Sequence, residues 1–271
     1  MFHAKISVMK TALTIAGFDP TGGAGLQADL KVFHRFGVYG LSAVAALTAQ
    51  NTLKVASTAG IDAGLLEEQL KTLINDIRPD ALKTGMLFSR DAVSVVAKIV
   101  KGFALQNLVI DPVAVSSTGK SLVDDTALDM LKERLFPFAK VITPNIYEAS
   151  LLSGVAICDE ESIEFAAKEL KKTGVDVVII TGGHFDGIKT KKKSSGRTME
   201  LIYDGVSFSR IRGRKMPGEY HGTGCAFSAA ITACLAKGMT VYDAVKKARR
   251  FVEGAVKNAV NLGKGMSLLK M

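Results

Sequence analysis

The sequence has little of several residue types that define whole classes of protein. Its 271 residues include no tryptophan, 6 prolines, 4 histidines and 3 cysteines. Its 26 glycines are too few for a collagen-like chain, and 48% hydrophobic residues exclude a disordered or low-complexity one. The composition indicates a globular protein, and we expect a single domain over residues 1–271.

Cysteine is both scarce and irregularly spaced. Cys158, Cys225 and Cys234 are odd in number and fit neither a disulfide framework nor a CxxC zinc site. We therefore expect a reducing compartment, the cytoplasm. We also expect Cys158 and Cys234 to be small buried hydrophobic residues.

Long hydrophobic runs are missing as well. No stretch reaches the roughly 18 apolar residues of a membrane span. Lys10 interrupts the apolar start of the chain and Asp19-Pro20 ends it, which makes this stretch a poor signal peptide. We expect a cytoplasmic protein with no membrane partner.

The net charge of +9 is concentrated in one segment. Residues 189–215 hold nine basic and two acidic residues, a net charge of +7, whereas the other 244 residues carry only +2. No run of aromatic residues is interleaved with this segment to stack bases, so we expect no nucleic-acid partner. The pattern favours a solvated surface loop, and a patch that meets an anion is the alternative.

Short apolar runs alternate with amphipathic stretches along most of the chain. Strands are predicted at residues 12–16, 40–46, 81–83, 108–111, 141–143 and 177–181. Helices are predicted between them at residues 24–36, 64–77, 90–100, 126–135, 147–152 and 160–172. This alternation predicts an α/β fold, in which helices cover both faces of a mostly parallel central sheet.

The last third of the chain departs from that order. Residues 199–212 are typical of a β-hairpin around Asp204-Gly205. Helices are predicted at residues 225–236, apolar nearly all round, and at residues 241–260, amphipathic.

Ligands of an open parallel sheet bind beyond the carboxyl ends of its strands, so the residues just after each strand are candidates. The glycine-rich stretch 17–25 follows the first strand, although it matches neither a Walker loop nor GxGxxG. Asp111, Asn145 and Glu148 follow later strands as oxygen ligands of the kind that hold Mg²⁺ beside a nucleotide phosphate. A capping box formed by Asn145 and Glu148 is the alternative, and the sequence does not decide between the two.

The strongest local signal is HGTGC at residues 221–225, which opens the buried helix. Unpaired amides at the positive end of a helix dipole predict a site for phosphate or a developing oxyanion. The same field is expected to lower the pKa of the Cys225 thiol; a small buried hydrophobic residue is the alternative. A cysteine hydrolase with His184 or His221 as its base is disfavoured, because nothing indicates a third orienting group.

Taken together, these stretches resemble the hydroxymethylpyrimidine/phosphomethylpyrimidine kinases of thiamine biosynthesis, ribokinase-superfamily relatives of pyridoxal kinases. The resemblance runs from residue 12 to residue 265. It rests on ALTIAGFDPTGGAGLQADLK (12–31), GVYGLSAVAALTAQNT (37–52), KTGML (83–87), ITPNIYEA (142–149), GGH (182–184), HGTGC (221–225) and GKG (263–265). Together these stretches are specific for the family, although no single one is.

The resemblance implies a ribokinase-like α/β/α domain, usually a homodimer, that transfers the γ-phosphate of ATP with Mg²⁺. A monovalent cation is a further candidate cofactor whose requirement the sequence leaves open. The pyrimidine pocket is assigned to Gly17, Asp29, Gln50 and Met86. The anion hole is assigned to Gly222, Thr223 and Gly224.

The resemblance also assigns the remaining site residues. Cys225 takes the place of the general base, an aspartate in sugar kinases of the superfamily. The metal is assigned to Asp111 and Glu148, and ATP binding to Asn145, Thr181 and Lys264.

Two positions depart from the family pattern. Phe18 stands where Ser or Thr is common, and Thr181 stands where many members have a lysine that reaches the phosphates. The lysine run at residues 189–193 could replace that charge as a flap, although an exposed insertion is the simpler interpretation.

We therefore expect a kinase that acts twice, converting hydroxymethylpyrimidine to its monophosphate and then to the diphosphate. A pyridoxal or pyridoxine kinase is the alternative. The intact HGTGC motif disfavours a regulatory ligand-binding or nucleic-acid-binding protein on the same scaffold. Gln50 is expected to bind the pyrimidine edge; a role in holding the Asn51-Thr52 turn is its alternative.

Overall fold

The computed structural model describes residues 9–114, 125–182 and 197–271. In these residues nine strands form one sheet in the order β3-β2-β1-β4-β5-β6-β7-β8-β9. They are β1 (Thr11–Phe18), β2 (Tyr39–Gln50), β3 (Val55–Gly60), β4 (Ala81–Thr84), β5 (Leu108–Ile110), β6 (Ala139–Ile142), β7 (Val177–Thr181), β8 (Arg197–Tyr203) and β9 (Phe208–Arg214). The six central strands are parallel to one another: β2, β1, β4, β5, β6 and β7. Strand β3 at one edge, and β8 and β9 at the other, pair antiparallel.

Helices cover both faces of this sheet, as the alternating pattern predicts. They are α1 (Gly25–Arg35), α2 (Ala63–Asp76), α3 (Arg90–Gly102), α4 (Asp125–Met130), α5 (Ile146–Ser153), α6 (Glu160–Lys171), α7 (Thr223–Ala236) and α8 (Val241–Lys257). A π-helical turn (Leu131–Leu135) and a 3₁₀ turn (Phe136–Phe138) continue α4. The core under one face includes Leu70, Val96 and Ile163 of α2, α3 and α6, and the core under the other includes Phe33, Ile231 and Val245 of α1, α7 and α8. The α/β/α prediction is confirmed.

Local signals place the helix starts. Asp62, Ser89 and Thr240 each accept a hydrogen bond from a backbone amide in the first turn of α2, α3 and α8. Helix α7 is buried without interruption from Ala226 to Ala236, as its all-round apolar sequence predicts. The predicted hairpin is also present, as β8 and β9.

Strands β2 and β3 form a two-stranded ribbon, of which only the first part of β2 was predicted. Strand β2 runs to Gln50 rather than ending near residue 46, and β3 pairs with it antiparallel. Strand β3 is partly or fully exposed along its whole length and so lacks the hydrophobic pattern that would reveal it. A second small sheet joins β10 (Tyr220–His221) to β11 (Ser267–Leu268). These additions bring Gln50 and His221 to the same edge of the sheet.

Three predictions are not tested by the described residues. His184 and the lysine run at residues 189–193 lie outside them. One domain over residues 1–271 stays a prediction. Within the described residues, no helix is both long enough and apolar enough to cross a membrane.

Candidate active site

A cavity of about 730 Å³ lies beyond the carboxyl ends of the parallel strands. Eleven of the thirteen candidate residues line it: Gly17, Gln50, Met86, Asp111, Asn145, Glu148, Thr181, Gly222, Thr223, Gly224 and Cys225. They come from seven separate stretches of sequence. The topology therefore brings the predicted ring, anion-hole and metal residues into one space.

The two other candidates do not line the cavity. Lys264 is exposed on the loop before β11, and its predicted proximity to ATP stays a prediction. Asp29 is fully buried, where it accepts hydrogen bonds from Thr14 Oγ1 at 2.6 Å and from Lys83 Nζ at 2.9 Å. Direct contact of Asp29 with a ring does not fit this position. Asp29 instead holds a lysine that lines the cavity.

Lys83 is a buried, charged residue of the cavity that was not predicted from the sequence. Its side chain is fully buried, and Nζ lies 2.9 Å from Asp29 and 3.8 Å from Asp111 Oδ2. Burial alone would lower the pKa of Lys83, but the neighbouring negative charges, of which Asp29 contributes most, together outweigh burial and raise the pKa. Lys83 therefore places a permanent positive charge at the cavity floor. A lysine inside an apolar strand, Ala81–Thr84, was the available signal.

The backbone amides of Gly222, Thr223 and Gly224 lie together at the start of α7, where the sequence predicts an anion site, and we call them the amide cradle. No side chain caps this helix, so its first amides remain available to a ligand in the part of the chain described here. Gly222 has a left-handed φ of 83°, and a Cβ there would lie 1.8 Å from the carbonyl oxygen of Gly23. Only glycine allows the HGTGC segment and the glycine-rich stretch after β1 to approach so closely.

Asp19 organises that glycine-rich stretch. Its carboxylate accepts hydrogen bonds from the amides of Thr21 and Ala24 at 2.9 and 2.8 Å, and from His221 Nε2 at 2.8 Å. Burial would raise the pKa of Asp19, but the hydrogen bonds from His221 and Thr21 outweigh it and lower the pKa. Asp19 and His221 thus join the two loops, a role that neither residue's motif indicated.

Gln50 lies beside this pair. Its amide nitrogen is 3.2 Å from His221 Nε2, and the residue is half-buried in the cavity wall. The turn after β2 is held by Asn51, whose Oδ1 accepts from the amides of Leu53 and Lys54. The Gln50 side chain itself lines the cavity and contacts His221.

The structure corrects the expected acidity of Cys225. Burial raises the pKa of the thiol to about 12, although the charge of Lys83 and a hydrogen bond from the backbone amide of Gly25 act in the opposite direction. The prediction of a partial thiolate near neutral pH is wrong, because desolvation of the thiolate outweighs these two favourable contacts. Among the other cysteines, Cys234 is buried as predicted and Cys158 is exposed, contrary to prediction.

The capping-box interpretation of Asn145 and Glu148 is confirmed, and the metal interpretation stays a prediction. The two residues form a capping box at the start of α5, and both line the cavity. Burial and the neighbouring charge of Asp111 raise the pKa of Glu148 to about 8. Among the residues that the structure describes, no cluster of three or more His, Cys, Asp or Glu could hold a metal ion. A cation here would need further ligands from a substrate.

Basic side chains also line the cavity. They include Arg214 and Lys215, which belong to the basic segment 189–215. The described part of that segment, residues 197–215, contains strands β8 and β9, and its last two residues line the cavity. Arg249 lines the cavity as well, and its guanidinium forms ion pairs with Glu200 and Glu253.

Comparison with known proteins decides the family. The family model described as phosphomethylpyrimidine kinase matches residues 19–270. The chain belongs to the phosphomethylpyrimidine kinase family. A hydroxymethylpyrimidine/phosphomethylpyrimidine kinase from Haemophilus influenzae is 42% identical over 260 residues, which is 96% of each chain.

Two further relatives of this family member bear on its function. The thiamine biosynthesis bifunctional protein ThiED from Geobacter sulfurreducens is 40% identical over 94% of the chain, and the chain spans about half (51%) of its length. The ADP complex of Bacillus subtilis pyridoxal kinase superposes with a TM-score of 0.86 at 37% identity, with 97% of each chain covered. The predicted resemblance and the ribokinase-like fold are both confirmed.

Proposed function

We propose that this chain transfers the γ-phosphate of ATP to the hydroxymethyl group of 4-amino-5-hydroxymethyl-2-methylpyrimidine, and then phosphorylates the monophosphate to the diphosphate. One observation carries the proposal: the open amide cradle of α7 faces the same cavity as Gln50 and the Asp111–Glu148 edge. The Haemophilus relative bears the name of this activity, and the Bacillus neighbour was solved with ADP.

Phosphoryl transfer needs positioning and charge stabilisation more than covalent chemistry from the protein. The hydroxymethyl oxygen attacks the γ-phosphorus, the bond from that phosphorus to the β–γ bridging oxygen breaks, and ADP leaves. The amides of Gly222, Thr223 and Gly224 stabilise the charge on the transferred group. The ammonium group of Lys83 adds to that stabilisation, because its raised pKa keeps it positively charged throughout the neutral pH range.

The two steps make different demands on Cys225. A neutral hydroxymethyl group must lose its proton as the new bond forms, and we assign that proton to the thiolate form of Cys225, which becomes a thiol as it accepts it. The acceptor oxygen of the monophosphate is already anionic and needs no base. One cavity can therefore serve both steps, provided that the cradle accepts the first phosphate.

The acidic edge fits a divalent cation. Asp111 and Glu148 each line the cavity at 5% exposure, and repulsion between them contributes to the raised pKa of Glu148. A bound Mg²⁺ would neutralise charge on the phosphates there, and the phosphates would complete its oxygen shell. Asn145 and Thr181 line the adjoining part of the cavity and are assigned to ATP.

Glu148→Gln should raise the free Mg²⁺ concentration at half-maximal rate by about 10- to 100-fold, because one anionic ligand is lost. Initial rates at saturating ATP across a Mg²⁺ titration measure this. Glu161→Gln is the control, since Glu161 is exposed in the first turn of α6. An unchanged Mg²⁺ dependence in Glu148→Gln would remove this residue from the metal site.

Pyridoxal kinase is the second candidate, favoured by the similarity to the Bacillus structure. Steady-state ATP turnover with hydroxymethylpyrimidine, its monophosphate and pyridoxal, measured side by side, separates the two. We expect both pyrimidines to be turned over with higher kcat/KM than pyridoxal. The reverse order would replace the first proposal with the second.

Gln50→Leu should lower kcat/KM for hydroxymethylpyrimidine by about 5- to 150-fold and leave pyridoxal much less affected. The primary amide can accept from the exocyclic amino group and donate to the adjacent ring nitrogen, an edge that pyridoxal lacks. Leucine leaves that edge unpaired, at about 1–3 kcal/mol. The measurement is the ratio of the two kcat/KM values. An equal loss for both substrates, with an unchanged melting curve, would show that Gln50 supports the cavity wall and does not bind the ring.

We further propose that the protein works in the cytoplasm as a homodimer of single-domain subunits. The three free cysteines agree with a reducing compartment. Exposed apolar side chains on and beside the β2–β3 ribbon, Leu47 and Leu53, agree with contact between subunits. Sedimentation measures the subunit number.

A further inference from the structure

One imidazole nitrogen, Nε2 of His221, contacts two side chains at the cavity wall. It lies 2.8 Å from Asp19 Oδ2 and 3.2 Å from the terminal amide of Gln50. Asp19 is 3% exposed, and the His221 side chain is 13% exposed. The contacts are thus shielded from water, and each needs a matching donor and acceptor.

Asp19 decides which of these groups donates. Its carboxylate already accepts from the amides of Thr21 and Ala24, and hydrogen bonds hold its pKa below the ordinary value. An ionised carboxylate only accepts hydrogen bonds. The proton between Asp19 and His221 therefore belongs to Nε2 of the imidazole, whether or not Nδ1 is also protonated.

That proton restricts Gln50. An amide NH₂ group facing the Nε2–H of His221 would place two donors 3.2 Å apart. A half-turn of the amide exchanges its oxygen and nitrogen without moving any other atom. The amide oxygen then accepts with one lone pair from Nε2–H, as the longer branch of a bifurcated hydrogen bond whose shorter branch goes to Asp19, while its second lone pair and the NH₂ group remain for the cavity.

We propose that His221 is a positioning residue that fixes the orientation of the Gln50 amide, and thereby selects the order of donor and acceptor on the substrate ring. The inference rests on the proposed function. A 4-aminopyrimidine edge offers an amino donor beside a ring-nitrogen acceptor. The fixed amide matches this order, with its oxygen to the amino group and its nitrogen to the ring.

A substrate analogue with the reversed edge provides a sharp test. In the 4-oxo analogue of the hydroxymethylpyrimidine, a carbonyl acceptor stands beside a ring N–H donor. Gln50 could pair with that edge only after a half-turn, which His221 opposes. The wild-type protein should therefore prefer the 4-amino substrate over the 4-oxo analogue.

His221→Leu removes the restriction. We expect the ratio of kcat/KM for the 4-amino substrate over the 4-oxo analogue to fall by about 2- to 12-fold, the worth of one net hydrogen bond. Most of the change should be a gain with the 4-oxo analogue. General damage to the cavity would lower both values and would not raise one of them.

Three further variants check the assignment. His221→Gln keeps a donor toward Gln50 and should retain the wild-type ratio. In a Gln50→Leu background, His221→Leu should change the ratio no further, because the amide it orients is gone. His34→Leu, at an exposed histidine on α1, should leave the ratio at the wild-type value.

A measurement on the wild-type protein keeps the inference testable if His221→Leu does not fold. Two-bond ¹H–¹⁵N correlation, assigned among four histidines by comparison with His221→Gln, should show Nε2 of His221 protonated. An unprotonated Nε2, or an unchanged substrate ratio in a folded His221→Leu, would overturn the inference alone. Absence of any pyrimidine turnover in the wild type would instead overturn the proposed function.

Discussion

Cys225→Ala should slow the first phosphorylation by about 10²-fold or more, the low end for loss of a general base, whereas the second phosphorylation should fall much less. The difference arises because only the hydroxymethyl acceptor carries a proton that must leave. Single-turnover rates with hydroxymethylpyrimidine and with its monophosphate measure the two steps separately. Cys158→Ala is the matched control, since Cys158 is exposed on the loop before α6.

The pH dependence of the first step adds a second readout. With a pKa of about 12, the thiolate fraction of Cys225 rises about tenfold for each pH unit through the neutral range. The first-step rate should therefore rise with pH, and this rise should disappear in Cys225→Ala. Equal losses in both steps, with an unchanged pH profile, would leave the thiol a packing group.

Gly222→Ala should lower kcat for both phosphorylations by about 10²- to 10³-fold, the cost of a lost oxyanion donor. A methyl group there would lie 1.8 Å from the carbonyl oxygen of Gly23, so the two loops must separate and the amides of α7 must turn away from the phosphate. The loss in both steps distinguishes this variant from Cys225→Ala. Isothermal titration with a non-hydrolysable ATP analogue, which carries the γ-phosphate, should show weaker binding.

Gly102→Ala provides the control for an added methyl group. Gly102 ends α3, and a Cβ there meets nothing within 4 Å. Both rates and the melting temperature should stay close to wild type. Wild-type kcat in a folded Gly222→Ala would show that the start of α7 does not bind the transferred phosphate.

Much of the fold follows from local sequence patterns. The parallel strands are short apolar runs between amphipathic helices, and the all-round apolar sequence of α7 predicts its burial. Strand β3 was missed because its partly exposed residues carry no such pattern. The ribbon exists through pairing with β2, which is a non-local interaction that a single sequence does not display.

The candidate site likewise contains some residues that local sequence patterns reveal and others that depend on non-local contacts. Asp111 was predicted because it follows a strand, and Gly222 because its motif opens a buried helix, so both could be found by their place in the sequence. The pairing of Lys83 with Asp29 could not be found in this way, because it joins positions 54 residues apart inside the core. The pKa of Cys225 was misjudged for a related reason, since desolvation depends on the packed structure.

The central claim is that one cavity performs two successive transfers to the same pyrimidine. The most direct measurement is the number of ATP molecules consumed for each hydroxymethylpyrimidine in a reaction run to completion, with the products identified by mass. Two ATP consumed and a pyrimidine diphosphate formed, with the first transfer selectively slowed in Cys225→Ala, is the predicted result. One ATP consumed with only the monophosphate formed, or preferential phosphorylation of pyridoxal, would contradict the account.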